Sequence, residues 1–205
     1  MLRSRRRFVL GATLALVPAR ARAARELGGG TGGSLAGQLL VAAPDMGDPR
    51  FAQTVILIVQ HGAEGAMGLV VNHPVGDQPI ADLLRAIGEP PGNAKGSLTL
   101  FSGGPLEPTT ALVVHSSEYR RATTRVIDDH LSVSSPKQVL PDIGAGHGPR
   151  KRLLIFGYAG WAPGQLEAEL SLKSWVTEPE TPELVFDVDR AKAWDVALAR
   201  QTVPL

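Results

Sequence analysis

The stretch Thr54-Val-Ile-Leu-Ile-Val59 is apolar without interruption after its first residue and rich in β-branched side chains, as expected of a strand covered on both faces. Gly62 and Gly65 then bracket a short link to a second apolar run, Met67-Gly-Leu-Val-Val71. A parallel return needs a crossover of about a dozen residues or more, so this link permits only an antiparallel hairpin. The pair is expected at the centre of the fold, with Met67 packing inside it. The other elements have to be placed around it.

Leu39-Leu-Val-Ala-Ala43 reads as a short strand stopped by Pro44, and further strands are expected at residues 98–101, 111–115, 125–127 and 153–156. Gly103-Gly104-Pro105 reads as the turn between the strands at 98–101 and 111–115. Pro79 can open a helix in which Ile80, Leu83, Leu84 and Ile87 share one face before Gly88 ends it. Ser135-Pro136 begins a helical turn carrying Val139 and Leu140, which Pro141 should kink or shorten. Pro163 starts a helix with Leu166 and Leu170 inward and Glu167 and Glu169 toward solvent. Asp189 can cap a last helix that buries Ala191, Trp194 and Leu198. Strands mixed with four helical segments predict an α/β (α+β) layer fold.

The 205 residues suffice for one domain with a sizeable core, and the absence of cysteine excludes disulfides, thiol catalysis and cysteine-ligated metal. The formal charge of +1 hides an asymmetry, because residues 1–23 hold six arginines and no acid. A basic start, an apolar stretch from Phe8 to Val17 and overlapping Ala-x-Ala sites have the layout of a secretory signal, and the stretch is too short to span a bilayer. Ser4-Arg5-Arg6-Arg7-Phe8-Val9-Leu10 resembles the twin-arginine export signal. The reading is therefore a signal peptide over 1–23, cut after Ala21 or Ala23, a flexible Gly-rich linker over 24–36, and a domain over 37–205. The expected location is the periplasm, with no transmembrane anchor after cleavage. Residues 24–205 carry 15 bases and 20 acids, a formal charge of −5, which argues against nucleic acid as a partner. Arg150-Lys151-Arg152 is the one basic run left, and it reads as the solvated start of a strand.

Standard catalytic signatures fail. Ser102 lacks the Gly-x-Ser-x-Gly elbow, and Ile143-Gly144-Ala-Gly146-His147-Gly148 ends in Pro149 instead of opening a helix. The polar candidates are His61, Glu64, Asn72, His73 and His115. Imidazole and carboxylate suit a transition metal, but their spacing matches no known ligand pattern and a site needs three converging ligands. His61 oriented by Glu64 could also serve acid–base chemistry, with nothing to identify a substrate. Tyr158 and Trp161 flank Gly160 where a strand meets a helix, a place for a stacked ligand or simply for core packing, and Trp175 and Trp194 carry the same ambiguity.

Taken together, Gly37-Gln-Leu-Leu-Val-Ala-Ala-Pro44, Asp48-Pro-Arg-Phe51, His61-Gly-Ala-Glu64-Gly-Ala-Met-Gly-Leu-Val-Val-Asn72-His-Pro74, Gly103-Gly-Pro105, Gly157-Tyr-Ala-Gly-Trp161 and Gly164-Gln-Leu-Glu167 resemble the YqgE/AlgH family of bacterial proteins. The resemblance runs from Gly37 to the C-terminus. It implies a mixed, largely antiparallel sheet with flanking helices. It implies no reaction and no cofactor, and its transcriptional-regulator label comes from a branch linked to alginate synthesis. No helix-turn-helix pattern accompanies that label, and a leader is a departure from the family.

The leading expectation is a non-enzymatic regulatory protein, exported folded, that binds a small ligand or an envelope protein. Its candidate surface is His61, Glu64, Gly65, Asn72, Gly103, Gly104, Pro105, Tyr158 and Trp161, from four glycine-rich turns at strand ends. The alternatives are a hydrolase or transferase using His61 and Glu64, with Ser102 as a further candidate, and a cytoplasmic regulator of transcription. Export by the twin-arginine route predicts that residues 1–23 carry a reporter across the membrane and that Arg5→Lys with Arg6→Lys stops it. Unchanged localisation of the double variant contradicts that route.

Overall fold

A computed structural model of the chain describes residues 33–200. The signal segment 1–23 and most of the linker lie outside the described residues. Among the described residues there are ten strands: β1 (Gln38–Ala42), β2 (Val55–Gly62), β3 (Gly65–Val70), β4 (Pro74–Pro79), β5 (Ser97–Ser102), β6 (Leu106–Ser116), β7 (Arg125–Val126), β8 (Leu131–Ser134), β9 (Arg152–Trp161) and β10 (Trp175–Pro179). Four α-helices accompany them: α1 (Ile80–Ala86), α2 (Pro136–Gly144), α3 (Gln165–Ser171) and α4 (Ala193–Ala199). A π-helical turn covers Glu183–Asp187.

The main path of the sheet is β10-β1-β2-β3-β9-β6-β8-β7, antiparallel at each described pairing, and the β4–β5 hairpin joins through a parallel β5–β9 pair. The α+β class is thus as the sequence pattern indicates, and the mixed, largely antiparallel sheet as the resemblance implies. The β2–β3 hairpin is central: Val55–Val59 is buried on both faces, and the two-residue turn Ala63-Glu64 closes on the Gly62–Gly65 pair. Alternation along the strands sorts the core into layers. Leu39, Val41, Leu57, Leu69, Val114 and Ile155 fill one interior with Leu184, Val185 and Ala197. Leu40, Ile56, Ile58 and Ala159 face Leu166 of α3, and α1 and α2 cover Val113 and Leu154. The sheet curls, so that Arg125 of β7 donates to Gln60 of β2 at 3.1 Å although the two strands are far apart in strand order.

β9 organises the molecule. On one side its partner changes along its length, from β5 (Leu100↔Leu154 to Ser102↔Phe156) to β3 (Gly68↔Ala159 to Ala66↔Trp161). On the other side lies β6. Gly103-Gly104-Pro105 is therefore no hairpin turn, because β5 and β6 flank β9 instead of pairing with each other. The segment crosses over β9. Gly103 donates its N–H to Phe156 at 2.7 Å and accepts from Val70 at 3.0 Å, and Leu106 then pairs with Tyr158 on the far side. The crossing has no room for side chains. A Cβ on Gly103 would lie 2.4 Å from the Gly157 oxygen, and one on Gly104 2.3 Å from the Tyr158 carbonyl carbon. One on Gly157, at φ +72°, would lie 2.6 Å from the Gly104 oxygen.

Other expectations shift in detail. β9 continues through Gly157 to Trp161, and α2 continues through Pro141 to Gly144. The last helix begins at Ala193, with Asp189 accepting the Ala191 N–H before it. Ser34–Ala36, assigned from sequence to the flexible linker, are tied down: the Ser34 hydroxyl donates to His61 O at 3.2 Å, and the Leu35 N–H to His61 Nδ1 at 3.1 Å. Gly104→Ala or Gly157→Ala is expected to lower unfolding free energy by about 3 kcal/mol or more in urea denaturation. Gly164→Ala, at φ +76° with open space around it, should lose only about 1–2 kcal/mol. Equal losses at the three positions contradict the crossing as the source of strain.

Candidate functional site

The loop between β1 and β2 is shaped by Asp48. Its carboxylate accepts three guanidinium contacts from Arg50 and that residue's backbone N–H at 3.0 Å, which holds the Asp48 carboxyl below its ordinary pKa. This turn delivers the Phe51 ring edge-on to Trp175, 5.6 Å between centroids, and Trp175 meets Trp161 in the same way at 6.0 Å. Arg50 lies over the outer face of Phe51, 5.7 Å from its centroid.

Beneath these rings lies Glu169 of α3. Its Oε2 accepts the indole N–H of Trp161 at 2.8 Å and of Trp175 at 2.7 Å, and its Oε1 accepts from Gln165 at 2.9 Å. An ionised carboxylate offers about four lone-pair sites, so roughly one remains. Among the described residues no lysine or arginine forms a salt bridge with it. An open pocket of about 370 Å³ stands over this group, walled by Asp48, Phe51, Pro105, Leu106 and Gly160. Gly160 matters to the shape, since a Cβ there would lie 2.8 Å from Leu106 Cδ1. Asp48, Arg50 and Phe51, Pro105, Gly160-Trp161 and Gln165, drawn from separate parts of the chain, line this one pocket.

The candidate residues read from the sequence divide. Pro105 and Trp161 line the pocket, with Gly103 and Gly104 forming the crossing behind it. Tyr158 points to the other side of β9, where its hydroxyl lies 3.4 Å from Glu107, and burial together with that carboxylate raises its pKa. Gly65 backs directly on Trp161, its would-be Cβ 2.2 Å from the Trp161 oxygen. Asn72 is structural: it accepts the Val55 N–H and donates to Gln53 O, both at 2.9 Å, extending the β2–β3 ladder by a side chain. The turn at 62–65 and the segment 72–74 lie at opposite ends of β3, about 20 Å apart at the usual rise per residue, so the four turns do not form one surface.

His61 does not engage Glu64, which stands exposed in the hairpin turn. Its Nδ1 accepts from Leu35, which leaves Nε2 to donate to Glu167 at 2.8 Å. The acid–base pairing expected from sequence is therefore replaced by one with a residue of α3. Of the basic run, Arg150 pairs with Glu118 and Lys151 with Asp187. Sequence reasoning missed the role of Glu169, placed on the solvent side of its helix, and of Phe51. A clue exists in the placement of Gln165 and Glu169 one helical turn apart, just after Trp161 and just before Trp175.

A second polar cluster is sealed. His115 is fully buried, and its Nδ1 must donate to Ser116 O at 3.0 Å because a carbonyl only accepts. Nε2 therefore accepts the Ser134 hydroxyl at 2.9 Å, and Ser134 accepts in turn from Thr124 at 2.8 Å. The arrangement resembles an activated serine, but Ser134 is only 2 % exposed and no substrate can reach it. Burial lowers the His115 pKa. The unfolded chain then takes up a proton near pH 6.5 that the folded imidazole refuses, so stability should fall as the pH drops below about 6.5. Urea titrations at pH 5 and 7 should show a shallower pH dependence for His115→Gln, and an unchanged slope contradicts this.

Comparison with known proteins gives a consistent result. Residues 39–205 match the AlgH-like family profile. A UPF0301 protein of Methylococcus capsulatus is 41 % identical over 169 residues, 82 % of this chain and 92 % of that protein. One from Methylobacterium is 42 % identical over 176 residues, 81 % and 83 % of the two chains. Among solved structures, the AlgH protein of Pseudomonas aeruginosa, determined in solution, superposes with a TM-score of 0.71 at 38 % identity, covering 87 % of this chain and 94 % of that one.

Proposed function

The chain belongs to the AlgH-like family, and from that premise we propose that it is a non-enzymatic binding protein whose pocket over Glu169 takes a positively charged nitrogen on a small ligand or partner side chain. The observation that carries this reading is the Glu169 carboxylate itself, fixed by two indole N–H groups at the base of an open aromatic pocket; among the described residues no lysine or arginine is salt-bridged to it, and Arg50, which also lines the pocket, is paired with Asp48. Hydrogen bonds hold the carboxylate in place but leave its charge uncompensated. An ammonium group above it would gain the Coulomb attraction and the favourable field of any aromatic ring face turned toward it. Leu106 at the rim offers apolar contact for the remainder of such a ligand, as pockets of this size commonly do.

Charge supports the same reading. The acidic balance of residues 24–205 favours approach of basic ligands and opposes phosphate backbones. Export of the folded domain through the twin-arginine layout of residues 1–23 belongs to the proposal, and it would put the pocket in the periplasm. Titrating the full-length domain, residues 24–205, with choline and with lysine methyl ester tests the site. The indole N–H resonances of Trp161 and Trp175 should move while that of Trp194, bonded to Ala42 O, stays fixed. Glu169→Gln should weaken binding tenfold or more. Indole resonances that stay still at tens of millimolar probe, or equal binding by Glu169→Gln, overturn the proposal.

A further inference from the structure

The curl of the sheet brings the β7–β8 turn against the start of β1 and the end of β10. Asp128 and His130 come from that turn, and Glu180 follows β10 directly. Asp128 Oδ1 accepts the backbone N–H groups of His130 and Leu131, both at 2.8 Å, which fixes the carboxylate and turns Oδ2 inward. Oδ2 is buried and makes no hydrogen bond among the described residues. Glu180 Oε1 meets His130 Nδ1 at 2.9 Å, while its Oε2 is also buried and without a partner. The Glu180 side chain is only 6 % exposed, against 59 % for His130. Backbone leaves room here, because Gly37 stands at φ +86° and a Cβ on it would lie 3.1 Å from Asp128 Oδ2.

Two carboxylates that each hold one buried oxygen without a partner repel each other, and those oxygens lack the solvation their charge needs. One donor atom from each of Asp128, His130 and Glu180 lies within 4.8 Å of the other two. Metal bonds of about 2.0–2.2 Å separate adjacent donors by about 3 Å, close to the spacing already held between His130 and Glu180. The geometry points to a divalent-cation site formed by Asp128, His130 and Glu180, clasping the two ends of the curled sheet. Two oxygens and one imidazole nitrogen suit Zn²⁺ or Mn²⁺, with further positions left to water. The site shares no residue with the Glu169 pocket.

The test is metal uptake by tag-free residues 24–205, equilibrated with Zn²⁺ or Mn²⁺, dialysed, and assayed for bound metal and for thermal midpoint. One ion per chain and a midpoint that rises with metal are expected for the wild type. His130→Ala, at an exposed position, should lower affinity at least tenfold. Glu180→Gln should abolish uptake while the metal-free protein keeps a cooperative thermal transition, since the amide fills the same space and removes the charge on the buried, unpartnered oxygen; this separates loss of a ligand from loss of the fold. Wild-type uptake no greater than that of Glu180→Gln overturns the site and leaves the His130 imidazolium as the cation for these carboxylates.

Discussion

The structure depends on one close approach of two backbones. Where residues 103–105 pass over β9, three glycines, Gly103, Gly104 and Gly157, permit a contact that any side chain would block by about an ångström. The crossing lets a three-residue segment carry the chain from one flank of β9 to the other. That single passage sets β5 parallel to β9 and β6 antiparallel to it, and it frees the far half of β9 to pair with β3. The strand that holds the sheet together is thereby also the strand that ends in the pocket.

From that arrangement the site follows with little further invention. Pro105 and Leu106 leave the crossing as one wall, Trp161 ends β9 as the floor, and α3 returns Glu169 beneath two indoles. Hydrogen bonds from N–H groups to an ionised carboxylate contribute about 1.5–3 kcal/mol each, enough to hold Glu169 rigid without neutralising it. In the proposed reading this fixed charge beside aromatic rings meets a basic group from outside, since no lysine or arginine among the described residues is salt-bridged to it.

Much of this was legible in the sequence where periodicity and local chemistry agree. The β2–β3 hairpin, α1 and α3 declare themselves through apolar runs, short links and proline starts. The exposed β4 has a proline at each end and no apolar alternation, so nothing in its pattern marks a strand until β5 is beside it. Gly103-Gly104-Pro105 carries a turn's composition, and only β9, some fifty residues later, makes it a crossing. Pro105 and Trp161, grouped from the glycine and aromatic segments, both line the pocket over Glu169, whereas Asn72 bonds Val55 and Gln53 and Glu64 stands exposed in the hairpin turn. His61 illustrates the limit most clearly: Glu64 is near in sequence, whereas its partner Glu167 is 106 residues away and reaches it only because α3 packs beside the hairpin.

The central claim is that the pocket over Glu169 takes a positively charged nitrogen, and its small-ligand form predicts a basic ligand bound in the cell. Native mass spectrometry of the protein isolated from its own cells under non-denaturing conditions tests this most directly, with Glu169→Gln prepared in parallel. The account predicts an organic adduct on the wild type, displaced by excess choline and absent from the variant, whereas a metal ion at Asp128, His130 and Glu180 would add only its own mass to both. A wild type carrying no organic adduct, or the same adduct on both proteins, contradicts it.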